Sequence, residues 1–167
     1  MNLPYLTAYP QGIQRQVVEL LQQDRLSALL LARYPKAHEV RSDKALFEYV
    51  DELKQRYLRN AGTVHKVQYD SKIHVVRHAL GLHTTLSKAH GSRTVARHEI
   101  RIASMFKQTP EAFLRMITVH ELSHLREKNH DKAFYQLCEH MEPEYHRYEL
   151  DVRLYLTHLE SGGTLLW

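Results

Sequence analysis

The spacing of apolar residues divides the chain into helix, then sheet, then helix again. Over residues 11–34, Val17, Leu20, Leu21, Leu26, Leu29 and Leu30 recur at helical intervals. Asp24 is expected to split this run into two helices, and Pro35 to stop it. A further helix is predicted to start at Ser42 or Asp43 as N-cap and to reach about residue 60. Its stripe of Leu46, Tyr49, Val50, Leu53 and Tyr57 forms one amphipathic face. These helices carry no chemical signature and read as scaffold. Between residues 63 and 106 the period changes to two. Short runs at 64–69, 73–78, 82–88 and 94–104 alternate, with turns expected at Asp70-Ser71 and Gly91-Ser92 and a turn or bulge at Gly81. In the last run Ile100 and Ile102 fall on one face, with Arg97, Glu99 and Arg101 on the other. That pattern predicts a small, mostly antiparallel sheet with one face on the core. Helix returns after Pro110, with Thr109 as N-cap, and is expected to continue to about residue 127. Two more helices follow at 131–141 and 143–160, the last with a stripe of Tyr145, Tyr148, Val152, Tyr155 and Leu159. Gly162-Gly163 ends it, and the residues to Trp167 read as a loose tail.

The result is an α+β fold. At 167 residues the chain suits one domain with a single core. Residues 1–60 form the helical scaffold, 63–106 the sheet, 109–160 the helices of the site and 161–167 the tail. Apolar residues make up 43% and charged residues 25%, which excludes disordered and fibrous classes. No apolar stretch approaches the length of a membrane span, and residues 1–12 lack the flank and core of a signal peptide. A single cysteine, Cys138, cannot form an internal disulfide, so a reducing cytoplasm is the expected location. The outlying number is 13 histidines in a chain of formal net charge +4. Such richness points to metal or to acidic partners.

Chemistry concentrates on the central helix. His120-Glu121-Leu122-Ser123-His124 matches H-E-x-x-H. Residues four apart on a helix lie above one another, so the two imidazoles can share one tetrahedral zinc. Glu121 sits about 100° round the helix, placed to act as catalytic base on a metal-bound water. With His and Glu each near 8% of the chain, a bare match has a chance of about 0.08. Context strengthens it. Phe113, Ile117, His120 and His124 share a face, while Leu114, Met116, Val119, Leu122 and Leu125 cover most of the rest. A helix apolar nearly all round is buried, and buried ionisable groups need partners. One metal ion satisfies them together. His130 is the first candidate for third ligand, five residues beyond His124 as in the long zincin motif, with Asn129 able to turn the chain. Glu139, Glu142, Glu144 and Glu149 compete for that place. A closed structural zinc, with Cys138 or His140 as fourth ligand, and a histidine pair without metal are the other readings. Met141 reads as core, and nothing marks Cys138 as a nucleophile.

The run from His120 to Leu125, then Asn129-His130, Ala133-Phe134-Tyr135, Pro143 and Tyr145, resembles the YgjP-like metal-dependent hydrolases. The likeness extends to Asp43-Lys44-Ala45-Leu46, Tyr69-Asp70 and Ile73-His74-Val75. Where many wider relatives carry Trp-Gly-Ser, this chain has Leu80-Gly81-Leu82-His83. The resemblance implies a minimal zincin-like fold with the sheet packed on the site helix. It also implies His120, His124 and His130 as metal ligands and Glu121 as catalytic carboxylate. The metal implied is a single divalent ion, zinc first, with magnesium or manganese as alternatives. The family is labelled metallopeptidase-like, and its bacterial subfamily is also described as a UTP pyrophosphatase. A nucleoside triphosphate is thus the favoured substrate, a peptide the alternative, and a non-catalytic metal-stabilised module the third reading. A triphosphate needs cationic clamps; Arg77, Lys88, Arg97 and Arg101 are the candidates, with Arg93, Lys66 and Lys72 nearby. A peptide would instead add a strand along residues 94–104. No nucleic-acid-binding motif is present.

Overall fold

The computed structural model describes residues 1–73, 90–92 and 95–167, with side chains described outside 74–97. Helix α1 spans Gln11–Gln22 and α2 Leu26–Arg33. The break falls where the sequence placed it, because Asp24 takes the left-handed conformation at φ 54°. Helix α3, Asp43–Tyr57, begins at Ser42, whose side chain accepts from the Ala45 amide. Strand β1, Thr63–Asp70, follows directly. Strands β2, His90–Ser92, and β3, Val95–Ala103, complete a sheet of order β1-β3-β2.

The expectation of a mostly antiparallel sheet is corrected here. Strand β1 pairs with β3 in parallel, and only the short β2 runs antiparallel to β3. Residues 71–94 separate β1 from β3, long enough for the crossover that a parallel pair requires. Gly91 and Ser92, expected in a turn, lie within β2. The runs expected at 73–78 and 82–88 fall almost wholly outside the described residues, as do Gly81 and the Leu80-Gly81-Leu82-His83 segment. In β1 the buried residues are Val64, Val67 and Tyr69, so one interval is three instead of two. A bulge between Val64 and Lys66 absorbs the extra residue and returns both valines to the core side. Opposite them, Ile100 and Ile102 are buried on β3.

A 3-10 turn, Ser104–Gln108, leads from β3 into α4, Glu111–Ser123. Thr109 does not cap this helix. Its hydroxyl bonds the Phe106 carbonyl, and Pro110 occupies the N-cap position. From Phe113 to Ser123 every residue of α4 except Arg115 is buried, as its apolar circumference required. The helix α5, Lys132–Met141, is capped by the Asp131 carboxylate on the Phe134 amide at 3.0 Å. Helix α6, Tyr145–Glu160, starts after Pro143 and packs on both α4 and the turn Pro4–Leu6. The C-terminal residues are not a loose tail: the Trp167 ring packs edge-on to Phe113 and Tyr155, and its Nε1 donates to the Tyr34 carbonyl at 2.7 Å. A bulky ring with one donor finds an apolar slot and an acceptor, and that holds the chain end. No helix among the described residues is long and apolar enough to cross a membrane.

Candidate metal centre

Helix α4 ends at Ser123, four residues short of the expected limit. The next amides close tight bonds: Leu125 to Leu122, and Arg126 and Glu127 to Ser123. The Glu127 carbonyl thereby turns back and lies 2.9 Å from His124 Nδ1. A carbonyl oxygen can only accept, so the proton sits on Nδ1 and the Nε2 lone pair faces the other rings. His120, 5% exposed, is set in the same way by a different group. Its Nδ1 lies 2.8 Å from the hydroxyl of Tyr145, the first residue of α6. That hydroxyl also bonds the Glu149 side chain, and burial first, then the Glu149 charge, raises its pKa well above the ordinary tyrosine value. Donating to the carboxylate, the hydroxyl accepts from Nδ1–H, and His120 too presents Nε2.

His130 comes from the segment between α4 and α5. Its Nε2 lies 3.2 Å from that of His120 and 3.0 Å from that of His124. Phe134, fully buried, supports all three rings, its centroid 4.9, 4.6 and 4.8 Å from those of His120, His124 and His130. The Asp131 cap fixes the Phe134 backbone, and so ties the turn after His130 to this floor. Glu121, 2% exposed, lies one residue along α4 from His120.

The four competing carboxylates are engaged elsewhere. Glu139 pairs with His146, Glu142 with Arg115, Glu144 with Arg147 and Glu149 with Arg153. Cys138 and His140 do not join the cluster. Cys138 is buried against the Ser123 hydroxyl at 3.2 Å, and burial pushes its thiol up to about 12. His140 packs edge-on to Tyr57. Of the proposed cationic clamps, Arg77 and Lys88 lie outside the described residues. Arg97 stands in β3, with its side chain likewise outside the description. Arg101 lies on the sheet face opposite Ile100 and Ile102, held by Glu99 at 3.0 Å and Asp70 at 3.3 Å. It is not brought together with the histidines. The roles of Tyr145 and Phe134 were not read from the residues alone. The signal was a tyrosine hydroxyl on the inward stripe of a buried helix, a group that must find a polar partner.

Three imidazole nitrogens with inward lone pairs repel one another unless a cation lies between them. A tetrahedron with metal–nitrogen bonds of about 2.0 Å has edges of roughly 3.3 Å, close to the observed 3.0 and 3.2 Å. The donor set therefore fits one metal ion. The model of the YgjP-like family, a metallopeptidase domain, matches residues 13–153. The chain belongs to the YgjP-like family. Among the curated relatives of this YgjP-like chain, the UTP pyrophosphatase of Escherichia coli (strain K12) is 53% identical over 161 residues, covering 96% of each chain. No solved structure matches the present chain. Family and site together make this YgjP-like chain a metal-dependent hydrolase.

Proposed function

We propose that the chain is a nucleoside triphosphate pyrophosphatase that hydrolyses UTP to UMP and pyrophosphate. His120, His124 and His130 would hold a single zinc ion, and Glu121 would serve as general base. The observation that carries this reading is the convergence of three Nε2 atoms beside a buried glutamate. The likeness to a UTP pyrophosphatase over nearly the whole chain directs it to the nucleotide. Zinc is favoured because three imidazole donors suit it, whereas magnesium prefers oxygen ligands. When bound, the ion supplies an acidified water and a Lewis acid for a phosphoryl oxygen. Glu121 takes the proton of the attacking water and can return it to the departing pyrophosphate. Tyr145 and the Glu127 carbonyl keep His120 and His124 in one tautomer, and Phe134 excludes water from behind the rings. One domain spanning residues 1–167 would carry all of this, and a reducing cytoplasm suits its lone buried thiol.

The test is a panel of nucleoside triphosphates and unfolded peptides, each with and without chelator. UTP is expected to be cleaved to UMP and pyrophosphate, with activity lost on chelation and restored by zinc. Turnover of peptides alone would transfer the site to the peptidase reading, which rests on the family's description as a metallopeptidase domain. Metal retained with no turnover of either would leave a binding module.

The groups that hold the imidazoles in place can be tested separately. Tyr145→Phe removes the acceptor of His120 Nδ1–H, together with the hydroxyl's bond to Glu149, and keeps the ring. Metal affinity should fall by about 10- to 100-fold, measured by competition with a chromophoric chelator. Unchanged affinity would show that the hydroxyl does not orient His120.

A further inference from the structure

Behind His120 the polar groups continue along α6. Tyr145, Glu149 and Arg153 follow one another at four-residue spacing, so they stand in one row on the helix. The buried Arg153 gives Nε and Nη2 to Glu149 Oε1 at 3.3 and 3.1 Å. Its Nη1 donates to the Tyr5 carbonyl at 2.9 Å, which fixes the guanidinium from a second side. At the other end of the row, the fully buried Tyr145 hydroxyl lies 2.8 Å from His120 Nδ1 and bonds the Glu149 side chain.

The direction of each bond in this row follows from the arginine end. A guanidinium can only donate, and the carboxylate it pairs with can only accept. The Tyr145 hydroxyl has a single proton to place. The sulfur of Cys138 also neighbours it, but a thiol is a weak acceptor and a carboxylate a strong one. The proton therefore goes to Glu149, and a lone pair of the hydroxyl oxygen turns to His120. Without that acceptor, the hydroxyl would be able to donate to His120 Nδ1. The imidazole proton would then sit on Nε2, the atom that faces His130, and the lone pair would point away from the cluster.

We propose that Glu149 is a positioning residue for the metal centre: held by Arg153, it makes the Tyr145 hydroxyl an acceptor and so keeps the His120 Nε2 lone pair turned into the cluster. This role rests on the reading of the three histidines as a metal site and is independent of the substrate. Glu149 was a candidate third ligand by sequence; it acts instead from two hydrogen bonds behind the cluster.

Glu149→Gln is the decisive variant, because it keeps the shape and changes which atoms can accept. Arg153 can bond only the amide oxygen, which leaves the amide NH2 to donate to the Tyr145 oxygen and sends the hydroxyl proton to Nδ1. The proton is located by nitrogen NMR on metal-free, histidine-labelled protein in alkaline buffer, where imidazoles are neutral. The His120 signal is assigned by its absence from His120→Asn. The proton should be on Nδ1 in wild type and on Nε2 in Glu149→Gln. Zinc affinity, by competition with a chromophoric chelator, should fall by about 10- to 100-fold. In a Tyr145→Phe background the same substitution should add nothing further, whereas a residue that merely stabilised α6 would cost the same in both backgrounds. If Glu149→Gln does not fold, Glu149→Ala takes its place: it removes the acceptor, and the hydroxyl proton should pass to Nδ1 in the same way. A His120 proton on the same nitrogen in wild type and variant, or an equal loss of affinity in both backgrounds, overturns the proposal. A wild type that binds no zinc, but whose His120 proton moves in the variant, keeps the orienting role and removes the metal reading.

Discussion

Glu121→Gln should reduce hydrolysis by about 10²- to 10⁴-fold while leaving metal content and fold unchanged. Glutamine has nearly the shape of glutamate, so the fully enclosed position on α4 should accept it without a cavity. The three imidazoles and the groups behind them are untouched, and the ion should stay. What disappears is the ability to hold a proton during the attack of water, and rate is where that loss registers. The measurement is turnover of UTP by wild type and variant, both assayed with metal content determined on the same sample. A Glu121→Gln protein with full activity and full metal would exclude this carboxylate as base. A variant that loses its metal would instead assign Glu121 a structural role at the site.

His130→Ala should empty the site. Two imidazoles from adjacent helical turns remain, but the third donor, the one whose Nε2 lies against both, is gone. Binding of metal by two neutral ligands is weak compared with three, so dialysed protein should carry well below one ion per chain. Activity should fall with it and recover in part in excess zinc. Fold should hold, because His130 is only half-buried, in a connecting segment. Stoichiometric metal and normal turnover in His130→Ala would hand the third position to another residue. The four carboxylates first considered for it would then have to leave their present arginine and histidine partners.

Much of this arrangement is legible in the amino-acid sequence. Helix positions, the break at Asp24 and the burial of α4 follow from apolar spacing and local backbone preference, which act over a few residues. The motif placed His120, Glu121 and His124, and the turn-forming Asn129 pointed to His130. Strand pairing was misread because alternation reveals which face is buried but not which neighbour lies alongside. A parallel pair such as β1 and β3 needs a long connection between its strands, a property that neither strand's own pattern shows. The end of α4 was overshot because Leu125 keeps the helical period, whereas the backbone at Ser123 tightens to carry the Glu127 carbonyl to His124. Trp167 was read as tail because two preceding glycines suggested freedom; a single ring with a distant slot cannot be seen from local composition.

The first and last parts of the chain are joined through α6. Arg153 reaches from this helix to the carbonyl of Tyr5 at 2.9 Å, and Tyr5 and Leu6 are buried there. Eight residues earlier on the same helix, Tyr145 sets His120. On the ribosome, then, the turn at Pro4–Leu6 has no seat until α6 has been made. His120, His124 and His130 emerge earlier, but the group that orients His120 arrives with the same final helix. Contacts between residues so far apart are slow to form. The three histidines should consequently reach their full affinity for metal only once α6 has folded against α4.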